Sequence, residues 1–268
     1  MNIAAEHLRY VAGGKFGNSR EIISDISLRI ASGECLGVIG REGAGKTTLL
    51  NLVGGLIPPS GGRLLVDGVD MAADPVEAKG IRRRMGFTFQ FPEEQFLSPS
   101  VGEEFSSLFR RRGVQEAQRE YRRTIALRDA GLEGPAAQHR SPFSLSHGES
   151  RRLALALLAA LRPEAAFLDE PTSGLDASGV ACARGIVEGL LGGGSTVVIA
   201  THDIEFLAGV ARRVVVLGEG RIAAEGDAAS LLGDGALMGA HGYALPAPRP
   251  VRGASGGERD ERDGGGRH

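Results

Sequence analysis

No stretch of this chain stays apolar over the roughly 18–20 residues needed to cross a bilayer. The N-terminus also lacks the basic, apolar and small-residue zones of a signal peptide. The chain is therefore expected to be soluble, while still able to dock on a membrane protein. Cysteine is scarce, with 2 in 268 residues, Cys35 and Cys182. Neither has metal-type or redox-type spacing, which excludes a disulfide framework and a zinc module. Both are expected as buried, reduced filler in a reducing compartment. No charge of one sign dominates: 31 Lys and Arg face 33 Asp and Glu, for a formal net charge of -2. A global basic field is thus missing, and no nucleic-acid partner is expected. A chain of this length can build one large domain, or a domain with a subdomain.

The most informative segment present is Gly40-Arg41-Glu42-Gly43-Ala44-Gly45-Lys46-Thr47. It follows the apolar run Leu36 to Ile39 and precedes the helix-like run Thr48 to Val53. Strand, glycine loop and helix in that order form the context in which this pattern binds phosphate. Gly40, Gly43, Ala44 and Gly45 are the cradling positions, because backbone N–H groups must approach phosphate oxygens closely. The helix N-terminus adds positive potential there. Lys46 would reach the β- and γ-phosphates and the Thr47 hydroxyl would ligate Mg²⁺, with Thr48 beside them.

Period-two alternation in Ser24 to Ile30 marks a half-buried strand, and Arg63 to Gly68 reads as a strand running into a turn. Between Pro92 and Ser144 the chain turns charged and helix-favouring, notably from Gln115 to Arg128, as a helical subdomain would. Further on, Ala165 to Leu168, Thr196 to Ala200 and Val214 to Leu217 are short apolar runs separated by helical stretches such as Gly179 to Leu191. Apolar strands alternating with helices predict an α/β fold with a parallel sheet covered on both faces. One domain over residues 1–240 is expected, with the helical insertion at about 92–158. The Gly-, Arg- and Pro-rich tail at 246–268 is expected to be disordered.

Phe167-Leu168-Asp169-Glu170 is an apolar strand ending in two carboxylates. Beside a phosphate loop, Asp169 would hold the Mg²⁺ shell and Glu170 would orient and deprotonate an attacking water. His202 and Gln90 each follow a strand-like run, His202 after Thr196 to Ala200 and Gln90 after Met85 to Phe89. Both therefore face the crevice where α/β folds bind ligands. His202 could bond a γ-phosphate, and the Gln90 amide oxygen could reach Mg²⁺ or water. Either residue is also an ordinary surface side chain when taken alone. Leu145-Ser146-His147-Gly148-Glu149 stands at the mouth of a helix beginning near Ser150. Ser146 and the N–H groups there make a second anion site, or else a plain Ser-x-x-Glu capping box. Two phosphate-recognising elements far apart in one chain suggest a head-to-tail dimer with ATP sandwiched between subunits. The runs Arg82 to Arg84 and Arg110 to Arg112 are either anion contacts or solvated faces.

Taken in order, the phosphate loop, Gln90, Leu145 to Glu149, Phe167 to Glu170, Ser173 to Asp176 and His202 resemble the nucleotide-binding subunit of ABC transporters. They fall where that family has its Walker A, Q-loop, signature, Walker B, D-loop and H-loop, over nearly all of residues 1–225. The resemblance implies a P-loop NTPase core with an N-terminal antiparallel β subdomain and an inserted helical subdomain. It implies ATP and Mg²⁺ as cofactors. Ser146 and Gly148 would contact the γ-phosphate held by the partner subunit, Asp176 would organise the dimer interface, and Tyr10 or Phe16 would stack on adenine.

Phe89-Gln90-Phe91-Pro92-Glu93-Glu94-Gln95-Phe96 further resembles the Q-loop region of energy-coupling-factor (ECF) transporter ATPases. The similarity implies a motor at the cytoplasmic face of the membrane. Its partners would be a second ATPase subunit, a transmembrane scaffold and a substrate-binding membrane component, and its cargo a vitamin or a transition-metal ion. The signature departs from the usual Leu-Ser-Gly-Gly-Gln at His147 and Glu149. His147 stands where backbones approach closely, so lowered turnover at that site is expected. A conventional ABC transporter subunit is the alternative within transport. A soluble ABC-type ATPase, such as an iron–sulfur assembly factor, is the alternative outside it. A kinase using the same loop leaves Leu145 to Glu149 unexplained.

Overall fold

A computed structural model describes residues 1–13, 19–134 and 136–243. The chain runs β1 (Ile3–Ala12), β2 (Arg20–Ile30), β3 (Cys35–Gly40), α1 (Lys46–Val53), β4 (Gly61–Val66), β5 (Val69–Asp70), α2 (Pro75–Arg82) and β6 (Met85–Thr88). Then come α3 (Val101–Arg112), α4 (Glu116–Asp129), α5 (His147–Leu161), β7 (Ala165–Asp169), α6 (Ala177–Gly192) and β8 (Thr196–Ala200). Last are α7 (Ile204–Val210), β9 (Arg213–Gly218), β10 (Arg221–Asp227), α8 (Ala228–Gly233) and α9 (Gly235–Ala240).

Two sheets form. The first, of order β2-β1-β4-β5, is antiparallel throughout. The second, of order β10-β9-β3-β8-β7-β6, is parallel except for the β9–β10 hairpin. Every residue of β3, β7 and β8 is buried, which is why these strands read as unbroken apolar runs. Successive side chains of a strand point to opposite faces, and the packing follows. Phe167, Val198 and Val215 join Leu49 and Leu50 of α1 in one core cluster that also takes in the first sheet. Their neighbours Leu168, Ile199, Val214 and Val216 join α3, α5 and α6 in the other. Phe167 is fully buried and stacks on Phe87 at 4.9 Å; loss of such a ring costs about 3–5 kcal/mol.

Local chemistry sets the helix ends. Asp74 caps α2 ahead of Pro75, as expected for a proline in the first turn. Ser100 caps α3, which stops at Gly113 in the left-handed region with φ 68. The helix expected near Ser150 begins earlier, at His147, because Ser146 and Glu149 close a complete capping box. Cys35 is buried and Cys182 only half-buried, so the filler role expected of both fits Cys35 alone. Burial pushes the Cys35 thiol up to about 12. Among the described residues, no helix is long and apolar enough to cross a membrane.

The parallel strands share one polarity, so their C-terminal ends share one edge. That edge receives Gly40 from β3, Asp169 from β7, and the residues following β6 and β8. In an open α/β sheet, this is where ligands bind.

Candidate nucleotide site

A cleft of about 860 Å³ opens on that edge. Residues 40–43 and 45–48 of the loop, Gln90, Asp169, Glu170, Ser173 and His202 contribute to its wall, while Ala44 of the loop is buried and outside the lining. Gly45 has φ 102, where a side chain would be strained, and a Cβ there would also lie 2.9 Å from Ile23 Cδ1. The loop folds back on its own lysine: Lys46 Nζ donates to the carbonyls of Gly40 at 2.9 Å and Arg41 at 3.3 Å.

Thr47 Oγ1 donates to Asp169 Oδ2 at 2.6 Å, joining residues 122 positions apart. Burial raises the Asp169 carboxyl above its ordinary value, and the bond from Thr47 opposes that rise. Hydroxyl and carboxylate oxygens are the donors a hard divalent cation takes. Among the described residues, no group of three or more His, Cys, Asp or Glu side chains could hold a metal alone.

Glu170 follows directly with φ 48, an uncommon left-handed conformation for a residue other than glycine. Its backbone N–H is tied to Ala200 O at 2.8 Å. Its Oε2 accepts from Thr201 Oγ1 at 2.9 Å and lies 2.8 Å from His202 Nδ1. The carboxylate side chain is 12% exposed and the imidazole 69%. Glu170 is thus fixed, while His202 reaches into the open cleft.

Two residues escaped the sequence analysis. Arg151, 3% exposed on α5, donates to Glu170 O at 2.7 Å and Gln90 O at 2.8 Å, and its Nη2 lies 3.3 Å from His147 Nε2. Burial lowers its guanidinium from the ordinary value, and the charges of Glu93, Glu170 and Asp169 oppose that shift. Tyr243 accepts from Gly40 N–H and donates to Gly40 O, both at 2.7 Å. No local pattern marks either residue, because each acts on partners remote in sequence.

The other expected site residues lie elsewhere. Ser146 and Gly148 do not line this cleft; Ser146 accepts from Glu149 N–H at 3.2 Å as the cap of α5. Asp176 caps α6 through a 2.7 Å bond from Gly179 N–H. The imidazole of His147 packs on the Ser173–Asp176 loop, where a Cβ on Gly174 would lie 2.7 Å from His147 Cδ2. Tyr10 is also outside the cleft lining; it pairs with Ile23 in the first sheet and packs on the core. Arg20 and Ile22 of β2 line the cleft instead. Phe16 and residues 246–268 lie outside the described residues.

The ABC transporter family profile matches residues 23–173. The energy-coupling factor transporter ATP-binding protein EcfA2 of Symbiobacterium thermophilum is 39% identical over 84% of this chain and 78% of its own length. The cobalt import ATP-binding protein CbiO of Rhodobacter capsulatus is 36% identical, over 91% and 85%. Among solved structures, cbiO1 from Clostridium perfringens, part of the ABC transporter complex cbiONQ, superposes with a TM-score of 0.70 at 28% identity, covering 87% of this chain and 90% of that one. The cassette MJ0796 in a post-hydrolysis dimer bound to ADP and Pi gives 0.73 at 27% identity, over 84% and 98%. With a strand-loop-helix phosphate cradle after β3, two carboxylates at the end of β7 and a histidine after β8 on one sheet edge, the chain belongs to the ABC transporter ATP-binding family of ATP hydrolases and is similar to its energy-coupling-factor and cobalt-import members.

Proposed function

We propose that this chain is the ATP-hydrolysing motor of an ECF-type importer, working at the cytoplasmic face of the membrane. Two ATPase subunits close head-to-tail around two ATP molecules, and a transmembrane scaffold uses that motion to take up a vitamin or a transition-metal ion. One observation carries the dimer: the cleft with Lys46, Asp169 and Glu170 is lined without Ser146 or Gly148. Each cleft is then one-sided in a single chain, and Ser146 and Gly148 of a second ATPase complete it. Asp176, on the loop that meets His147, lies at the junction.

Within one cleft, the loop N–H groups and Lys46 bind the β- and γ-phosphates. Thr47 and Asp169, with Gln90 beside them, form an oxygen set suited to Mg²⁺, which when bound would neutralise phosphate charge. Glu170 orients the attacking water and takes its proton. Thr201 holds the Glu170 carboxylate from one side, and His202 links it to the γ-phosphate. Arg151 ties the Gln90 backbone to the Glu170 backbone. A movement of the Pro92–Gln95 segment would thereby reach the catalytic strand.

The membrane partner is supported by the surface beside Gln90. Phe91 is 51% exposed and Leu97 73%, flanking the 3-10 turn Pro92–Gln95. Large apolar groups left in water beside this turn suit a protein partner.

Affinity purification from detergent-solubilised native membranes tests the reading. Recovery of a polytopic scaffold with a small substrate-binding membrane protein is the expected result, and a second ATPase in the eluate would identify a mixed dimer. Recovery with soluble partners alone would overturn the transport reading and favour an assembly ATPase.

A further inference from the structure

The two arginine runs noted in the sequence meet in space. Arg83 and Arg84 end the turn after α2, Arg112 ends α3, Arg122 lies on α4 and Arg162 follows α5. All five line one cavity of about 300 Å³. The cavity is remote from the ATP cleft, because it sits at the N-terminal ends of β6 and β7, with Met85 and Glu164 in its wall. We propose that it is a second anion site, built for a phosphorylated ligand.

Charge is the first argument. The cavity sets five guanidinium groups against one carboxylate, Glu164, and Arg84 already takes that carboxylate at 2.8 Å. Among the described residues, Arg83, Arg112, Arg122 and Arg162 have no carboxylate within ion-pair distance, whereas Arg84, Arg123, Arg128, Arg140 and Arg213 do. Desolvation, then the neighbouring charges of Arg111 and Arg83, push Arg112 down from its ordinary value. Desolvation and Arg162 do the same to Arg122. Partly desolvated like charges repel, and the protein supplies no counter-charge to relieve them.

Placement is the second argument. Two of the guanidiniums are held in position by their own chain: Arg112 donates to Arg83 O, and Arg122 donates to Gln118 Oε1 at 2.7 Å and toward the last carbonyls of α5. The α4 N-terminus opens into the same wall at Gln115, which makes no side-chain cap bond. Gln118, one turn on, lines the wall as well. Planar guanidinium forks converging on one cavity match phosphoryl oxygens. The ligand could be a free phosphate compound or a lipid headgroup, and the chemistry is the same for both.

Binding of inorganic pyrophosphate, followed by titration calorimetry in a Lys46→Ala background that disables the first phosphate site, distinguishes the sources. A parallel arm measures sedimentation with phosphatidylcholine vesicles, with and without phosphatidylglycerol. The test variant is Arg83→Gln with Arg162→Gln, two exposed side chains with no hydrogen bond of their own in the fold. A tenfold or greater loss of pyrophosphate affinity, steepened at low salt, supports a soluble ligand. Loss confined to the anionic vesicles supports a headgroup. Unchanged binding in both arms overturns the site. ATP hydrolysis by the double variant in the Lys46 parent should stay at the parent rate, which separates this result from any failure of the catalytic assignment.

Discussion

His202 Nδ1 and Glu170 Oε2 lie 2.8 Å apart, and Thr201 Oγ1 donates to the same carboxylate oxygen at 2.9 Å. The carboxylate is therefore aimed by the strand that neighbours its own. Replacing Glu170 by Gln should keep ATP binding and lower kcat by about 10²–10⁴-fold. Hydrolysis at the parent rate, with ATP affinity measured alongside, would remove Glu170 from the mechanism.

Thr201→Val keeps the shape and deletes the bond to Glu170 together with the one that Thr201 Oγ1 accepts from Asp203 N–H at 3.0 Å; Thr201→Ser keeps both. A positioning role predicts a kcat about tenfold lower, or about 1.4 kcal/mol of barrier, with KM unchanged and Thr201→Ser restoring most of the rate. A matching rise in KM, or no rescue by Ser, would assign Thr201 to stability instead.

Arg151 joins three segments while almost fully buried. Arg151→Met should remove the guanidinium donor from the carbonyls of Gln90 and Glu170, leaving Glu170 O only the 3.2 Å bond from Ser173 N–H, and lower unfolding free energy by about 1–3 kcal/mol, read from denaturant melts. Arg151→Lys should recover only part, because a single ammonium cannot span both carbonyls.

Glu149 pairs with Arg140 at 2.6 Å and closes the capping box on Ser146. The Arg140 bond first, then the Ser146 backbone, holds the Glu149 carboxyl down from 4.5 to about 2. A depressed carboxylate stabilises the fold above its unfolded value and loses that contribution as pH falls through its folded value. The melting-temperature gap between the parent and Glu149→Ala should be full at pH 6 and shrink between about 4.5 and 2. A gap independent of pH would show that packing, not charge, holds this helix start.

His147 rests on Gly174 and touches Arg151. His147→Gly should free the Ser173–Asp176 loop and raise ATP turnover severalfold. In a mixed dimer, blocking each ATPase in turn by its catalytic Glu→Gln should reveal a weaker site containing His147. Equal hydrolysis by both sites would refute that asymmetry.

Local pattern carried a large share of the fold. The apolar runs at β7 and β8 declared a sheet buried on both faces, because each apolar residue of those strands meets a core cluster on one side or the other. The phosphate loop was legible for the same kind of reason: its glycines, lysine and threonine act within a few residues of one another. The order of its companion motifs then identified the family. Other features depended on which distant segments meet. Tyr243 bonds Gly40 across 203 positions, Arg151 reaches Gln90 across 61, and the two arginine runs converge with Arg122 and Arg162 on one cavity. Side-chain periodicity reports which face of an element is buried, not what that face meets. Tertiary packing alone kept Tyr10 out of the cleft lining and set Ser146 apart from the phosphate loop, since both depend on how the two sheets and the helical layer pack together.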